Sequence, residues 1–305
     1  MSADHGFGSL LGGVWALLMF AGMCLPQATA PATRDPIERL AIVDGNSAAG
    51  WEVTEGTLSP AAVQKNDANL ALLFRVPVDW KAGEAKYPIG WPRCWLRLPK
   101  DRQDWSKWDR LRVGVFTRTT REQLPSVPLT LIVSAGGRGS AWSSDLTGLK
   151  KDQWAEFVFP VEDIPGRDRV TDIKLSISES RYNHGDVVEF YIGCLELVRY
   201  TQPTLVGFEA GTKVAFADEP ALPLHVEVLG VRPGEKAAVV INLQGGGRTA
   251  MAVTRELPAG RNRITVPLPK GLSAGQYQAV AKIGQQELSI PFRLVESPWQ
   301  GGNSR

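Results

Sequence analysis

GWPRCWLRLP, Gly90 to Pro99, places two kinds of side chain on two alternating registers. Read in steps of two, Pro92, Cys94, Leu96 and Leu98 form one series, and Trp91, Arg93, Trp95 and Arg97 form the other. Successive strand residues point to opposite faces of a sheet, so this is the pattern of a half-buried β-strand. The first series is the expected core side. The second puts two indoles and two guanidiniums on the side that would meet water.

The same period recurs on both sides of this stretch. Leu111, Val113 and Val115 alternate with Arg110, Arg112 and Gly114. Leu129, Leu131 and Val133 follow, then Phe157, Phe159 and Val161, then Thr171, Ile173, Leu175 and Ile177. Val187 to Val198 is a longer apolar run, expected to be a buried terminal strand. Gly136-Gly137, Pro165-Gly166 and Asn183-His184-Gly185-Asp186 separate the runs as turns. No helical period is sustained. Many short strands with such punctuation predict an all-β fold of packed antiparallel sheets.

The composition changes near Thr201-Gln202-Pro203. Eight of the ten tryptophans lie between Trp51 and Trp154, and only Trp299 follows Tyr200. Beyond the boundary the alternation is cleaner, through Leu222 to Val228, Val239 to Leu243, Met251 and Val253, Ile264 to Leu268, Tyr277 to Ile283, and Leu288 to Leu294. Six or seven strands in under about a hundred residues match the strand content of an immunoglobulin-like sandwich. The expected organisation is residues 1–30 as a signal peptide, 31–200 as the first sandwich, 201–297 as a smaller second one, and 298–305 as a flexible tail.

The N-terminus carries the export reading. Leu10 to Leu25 is apolar, and Ala28-Thr29-Ala30 is an A-x-A cleavage pattern. Cleavage after Ala30 would make the protein secreted or periplasmic, with no membrane span afterwards. The alternative is an uncleaved anchor. Net charge is +2 with no long basic run, so no nucleic-acid partner is expected.

Three stretches carry a resemblance. Asp104-Trp105-Ser106-Lys107-Trp108-Asp109-Arg110-Leu111-Arg112-Val113 resembles the entry to a central strand of the galactose-binding-like β-sandwich, the jelly roll of many carbohydrate-binding modules. Gln153-Trp154-Ala155-Glu156-Phe157 resembles a further strand start of that fold, and Gly185-Asp186 with Val188 to Ile192 its closing strand. Beyond the boundary, Leu272-Ser273-Ala274-Gly275-Gln276-Tyr277 is similar to the turn into a late strand of bacterial immunoglobulin-like modules. The resemblance implies a jelly-roll β-sandwich followed by a smaller immunoglobulin-like β-sandwich. It also implies a glycan or polysaccharide as ligand, and a glycoside hydrolase or cell-surface protein as partner. Such modules often hold a structural calcium through an Asp in the closing strand. Here Gly193 and Cys194 stand in that place, and only Asp44 keeps an acid near the first strand. Calcium takes about six to eight oxygens, so neither calcium nor another cofactor or metal is expected.

Trp91, Arg93, Trp95 and Arg97 are the leading ligand-binding candidates. Sugar rings present C–H patches to aromatic planes, and guanidiniums offer several donors to hydroxyls. A long loop folding over the same side chains, with Arg stacked on Trp, is the alternative. The loop containing Arg181, Tyr182 and His184 is a secondary candidate. Its residue types are similar to the acid–base groups of jelly-roll polysaccharide lyases, and a solvated hairpin is the competing account. Cys94 and Cys194 each share an alternation series with apolar neighbours, and inward direction on both would permit a disulfide. No Ser–His–Asp set, phosphate loop or strand-borne carboxylate pair is present to assign catalysis. The expected function is non-catalytic carbohydrate binding, with structural adhesion or a polysaccharide lyase as the other readings.

Overall fold

The alternation produces nineteen strands and no α-helix among the described residues. The computed structural model describes residues 36–43, 45–63, 70–81, 89–246 and 248–298. The apolar N-terminal run with its cleavage pattern, Asp44, and the tail beyond Pro298 lie outside the described residues.

Residues up to Tyr200 supply β1 (Ile37–Ala41), β2 (Trp51–Thr54), β3 (Thr57–Ala62), β4 (Leu70–Pro77), β5 (Arg93–Arg97), β6 (Arg110–Thr119), β7 (Thr130–Ala135), β8 (Arg138–Asp145), β9 (Gln153–Pro160), β10 (Val170–Ser176) and β11 (Val187–Tyr200). They form two antiparallel sheets. One has the order β3-β4-β11-β6-β9, with β1 pairing the far half of β11. The other has the order β2-β5-β10-β7-β8. Their facing sides bury Phe74 and Val76 of β4, Leu111 and Val113 of β6, Leu131 of β7, Leu175 of β10, and Phe190 of β11. The Asp104 motif is a plug at the rim of this core. Trp105 is fully buried, and its indole N–H donates to the Arg102 carbonyl at 3.0 Å.

The strand β11 departs from simple alternation once. Its pairing with β6 shifts register between Ile192 and Cys194, which is a β-bulge. Val188, Phe190 and Ile192 face the core before it, and Leu195 and Leu197 face the core after it. The bulge therefore turns Cys194 to the outer side of its sheet. Gly193 sits at the kink with the Trp154 indole lying across it. A Cβ there would stand 2.5 Å from the ring, so only glycine fits without displacing the tryptophan.

The remaining strands are β12 (Thr204–Ala210), β13 (Val214–Phe216), β14 (Ala221–Leu229), β15 (Ala237–Gly245), β16 (Arg248–Leu257), β17 (Gly260–Pro267), β18 (Gly275–Ile283) and β19 (Gln286–Val295). They form a second pair of sheets, β12-β14-β17 against β13-β19-β18-β15-β16. β13 runs parallel to β19, and the other pairings are antiparallel. Leu222, Leu224, Val226, Ile241, Leu243 and Phe292 lie at the centre of a separate core.

Three residues join β11 to β12, and charge crosses the join. The buried Arg110 guanidinium of β6 lies 2.6 Å from Glu227 of β14, which also faces Arg261 of β17 at 3.4 Å. Asp109 accepts the Tyr200 backbone N–H at 2.8 Å, and burial raises its carboxyl above the usual range. Removing one partner of such a pair leaves the other charge buried without compensation. Glu227→Ala is expected to cost about 3 kcal/mol in chemical denaturation, whereas the apolar pair Arg110→Met with Glu227→Leu should recover much of that loss. A single-variant loss below about 0.5 kcal/mol would contradict the assignment.

Candidate functional site

The central position of β5 decides what its outer face can carry. It lies between β2 and β10, so Arg93 and Trp95 each have a neighbour on both sides and Arg97 has one on β10. Trp95 stands opposite Glu52 of β2 and Lys174 of β10. Arg93 stands opposite Thr54 and Ser176, and Arg97 opposite Asp172. The inward series is as the alternation predicts: Cys94 and Leu98 are buried, and Leu96 packs against the core.

The structure brings Arg93, Trp95 and Arg97 together on the outer face, with Trp91 just before the strand. The Arg93 guanidinium carbon lies 5.7 Å from the centre of the Trp95 ring, a cation–π contact. Trp95 is half-buried. Trp91 has no such cover and is 60% exposed. Arg97 is paired with Glu52 at 3.3 Å. Lys174 is paired with Asp172 at 2.9 Å, and Asp172 also accepts from Ser134 and Thr171. Burial alone would raise the Asp172 carboxyl, but these hydrogen bonds outweigh it and hold it below the ordinary carboxylate range. The face thus carries the Arg93–Trp95 contact among side chains that have ion pairs of their own. Glu52, Asp172 and Lys174 do not stand out in the sequence, because a charged strand residue looks the same whether it lines a site or solvent. The register opposite β5 is the signal that selects them.

Tyr182 is fully buried, its hydroxyl donates to the Pro128 carbonyl at 2.8 Å, and burial pushes its phenol well above the ordinary range. Arg181 is exposed and reaches the Val127 carbonyl at 3.3 Å. His184 is exposed, and its Nδ1 accepts the Trp80 backbone N–H at 3.3 Å. Burial makes Tyr182 a core side chain, while Arg181 and His184 lie exposed at the loop surface.

The disulfide is corrected. Cys94 and Cys194 are free thiols. Cys94 lies in the core, while the bulge in β11 turns Cys194 to the opposite side of its own sheet, beside Gly114. Burial raises both thiols, so neither is an activated nucleophile. Among the described residues no cluster of metal-ligating side chains is present.

No family model and no curated protein matches the chain. Several solved structures align with it. The family 11 carbohydrate-binding module of Clostridium thermocellum, solved with a β-1,3-1,4-mixed-linked tetrasaccharide, aligns at a TM-score of 0.34 and 14% identity, over 52% of this chain and 94% of that one. A glycoside hydrolase domain, Endo-D, from Streptococcus pneumoniae R6 aligns at 0.34 and 12%, over 80% of this chain and 37% of its own length. A β-1,2-glucanase from Parabacteroides distasonis aligns at 0.36 and 11%, over 87% and 37%. The chain therefore spans little more than a third of each of these two enzymes.

Alkylation of the denatured, unreduced protein is expected to modify both Cys94 and Cys194. A non-reducing peptide map containing a Cys94–Cys194 cross-link would show that the two strands pack differently.

Proposed function

We propose that this chain is an exported, non-catalytic carbohydrate-binding protein whose site is the outer face of β5 together with Trp91. The observation that carries the reading is the exposed Trp91 indole just before the strand that holds the Arg93–Trp95 contact. An indole left wet forgoes burial of about 150–250 Å² of surface, and a pyranose ring offers it a flat apolar partner. Arg97, Glu52, Lys174 and Asp172 present donors and acceptors to hydroxyls around that platform. Export rests on the N-terminal apolar run and its A-x-A pattern.

The first sandwich is read as a galactose-binding-like jelly roll, which its sequence motifs support. The second is read as an immunoglobulin-type spacer or docking module. Its sheet order supports this, with a short strand parallel to the last strand, β13 on β19, in the larger sheet. A tyrosine near the start of β18 supports it too. The Tyr277 hydroxyl donates to the Ser273 carbonyl four residues upstream at 3.0 Å, as the corner tyrosine of such domains does.

Trp91→Ala and Trp95→Ala are each expected to weaken binding roughly ten- to a hundredfold, about 1.4–2.7 kcal/mol, in titration calorimetry against the glycan found by array screening. Trp91→Ala should leave the melting temperature unchanged, since an exposed side chain contributes little to stability. Equal affinity of wild type and Trp91→Ala would reject the site.

A further inference from the structure

Trp80, Ile89 and Trp91 are large apolar side chains left 40%, 37% and 60% exposed near the start of β5. They belong to two stretches of chain that hydrogen-bond to one buried carboxylate. Glu179, only 1% exposed, accepts the Asp79 backbone N–H at one oxygen, 3.1 Å, and the Gly90 backbone N–H at the other, 3.0 Å. Its backbone carbonyl accepts the Trp80 indole N–H at 3.3 Å, and its backbone N–H donates to the Gly90 carbonyl at 3.3 Å. Burying a carboxylate is costly unless its oxygens are satisfied, so these bonds hold both stretches against Glu179. The Trp80 ring is pinned at its N–H edge, and the His184 ring lies 6.4 Å away, tilted by 45°.

We infer that Trp80 forms a second aromatic subsite beyond the end of β5, taking the outer units of an extended, uncharged glycan, with Glu179 as the positioning residue. The inference rests on the reading that Trp91 and Trp95 bind sugar. An aromatic plane fixed before the ligand arrives loses little side-chain freedom on binding. The uncharged class follows from the pairing of the charges. Arg97 is engaged by Glu52, Lys174 by Asp172, and Arg93 lies over the Trp95 ring. An acidic chain would have to displace those carboxylates or face them. Trp91 and Trp95 are separated by about 13 Å along an extended chain. In this arrangement a short oligosaccharide occupies the β5 face, and a longer one also covers Trp80.

Titration calorimetry with neutral gluco-, xylo- and manno-oligosaccharides of two and six units, and with an oligogalacturonate of six, tests this. A neutral hexamer is expected to bind wild type more tightly than its dimer. Trp80→Ala should lower hexamer affinity roughly tenfold and leave the dimer unchanged, and Trp80→Phe should restore part of the loss. Glu179→Gln keeps one acceptor but points an amide N–H at a backbone N–H. Because it releases the stretches that carry both Trp80 and Trp91, it should lower hexamer affinity more than dimer affinity, an inequality that general loss of structure would not produce. If Trp91→Ala loses binding and Trp80→Ala does not, this inference fails and the β5 site stands. If wild type binds no probe, or neither tryptophan matters, both fail. Preference for the oligogalacturonate would overturn the uncharged class.

Discussion

The long central strand β11 is the constraint on which the first sandwich depends. It is fourteen residues long and hydrogen-bonds to β6 along one edge, and to β4 and then β1 along the other. A strand in that position must keep one face apolar throughout, because both edges are committed and it cannot rotate to relieve a mismatch. One extra residue at the Ile192–Cys194 bulge reverses the alternation midway, and Leu195 and Leu197 continue the buried series on the new parity. The aromatic side chains on the other side of that sheet are arranged around the same kink. Trp154 lies across Gly193, Phe116 packs on Trp154 with ring centres 5.7 Å apart, and Tyr191 meets Phe116 edge-on.

Most of the architecture is legible in the sequence because it depends on period two. The parity of Cys94, Leu96 and Leu98 correctly sends Arg93, Trp95 and Arg97 outward, and the alternation after Pro203 marks strands that are present. The bulge is not legible. Phe190, Ile192 and Cys194 form an unbroken series on paper, and only the pairing with β6 shows where the count slips. Tyr182 misleads for a related reason. Its neighbours are polar, but a single aromatic in a polar loop turns inward when a carbonyl such as that of Pro128 is there to receive its hydroxyl. Glu179 gives no signal at all, since a glutamate between two serines reads as solvated until the chain brings Asp79 and Gly90 to it.

The two faces of the β2-β5-β10-β7-β8 sheet divide the work between them. The inner one is built from aliphatic side chains, Cys94 and, toward its edges, Trp51 and Trp142, whose packing fixes the strand spacing. The outer one inherits that spacing, so Trp95 and its ion-paired neighbours are held on a rigid support instead of a loop. Trp80 and Trp91 lie off the sheet and need a different anchor, which the buried Glu179 provides. Aromatic residues at this end of the sandwich are thus held by two independent means, ladder hydrogen bonds for one and the bonds of Glu179 to neighbouring backbone for the stretches that carry the others.

The short join between the sandwiches has a mechanical meaning. Three residues span at most about 10 Å, so a pull applied through β12 reaches Tyr200 almost without slack. Tyr200 is the last residue of β11, and tension directed along that strand loads the hydrogen bonds to β6 and to β1 together, in shear, instead of opening them one at a time. The Arg110–Glu227 contact offers a second route for the load, from β14 directly into β6. A chain anchored through its first sandwich and tugged through its second would meet its longest ladder first.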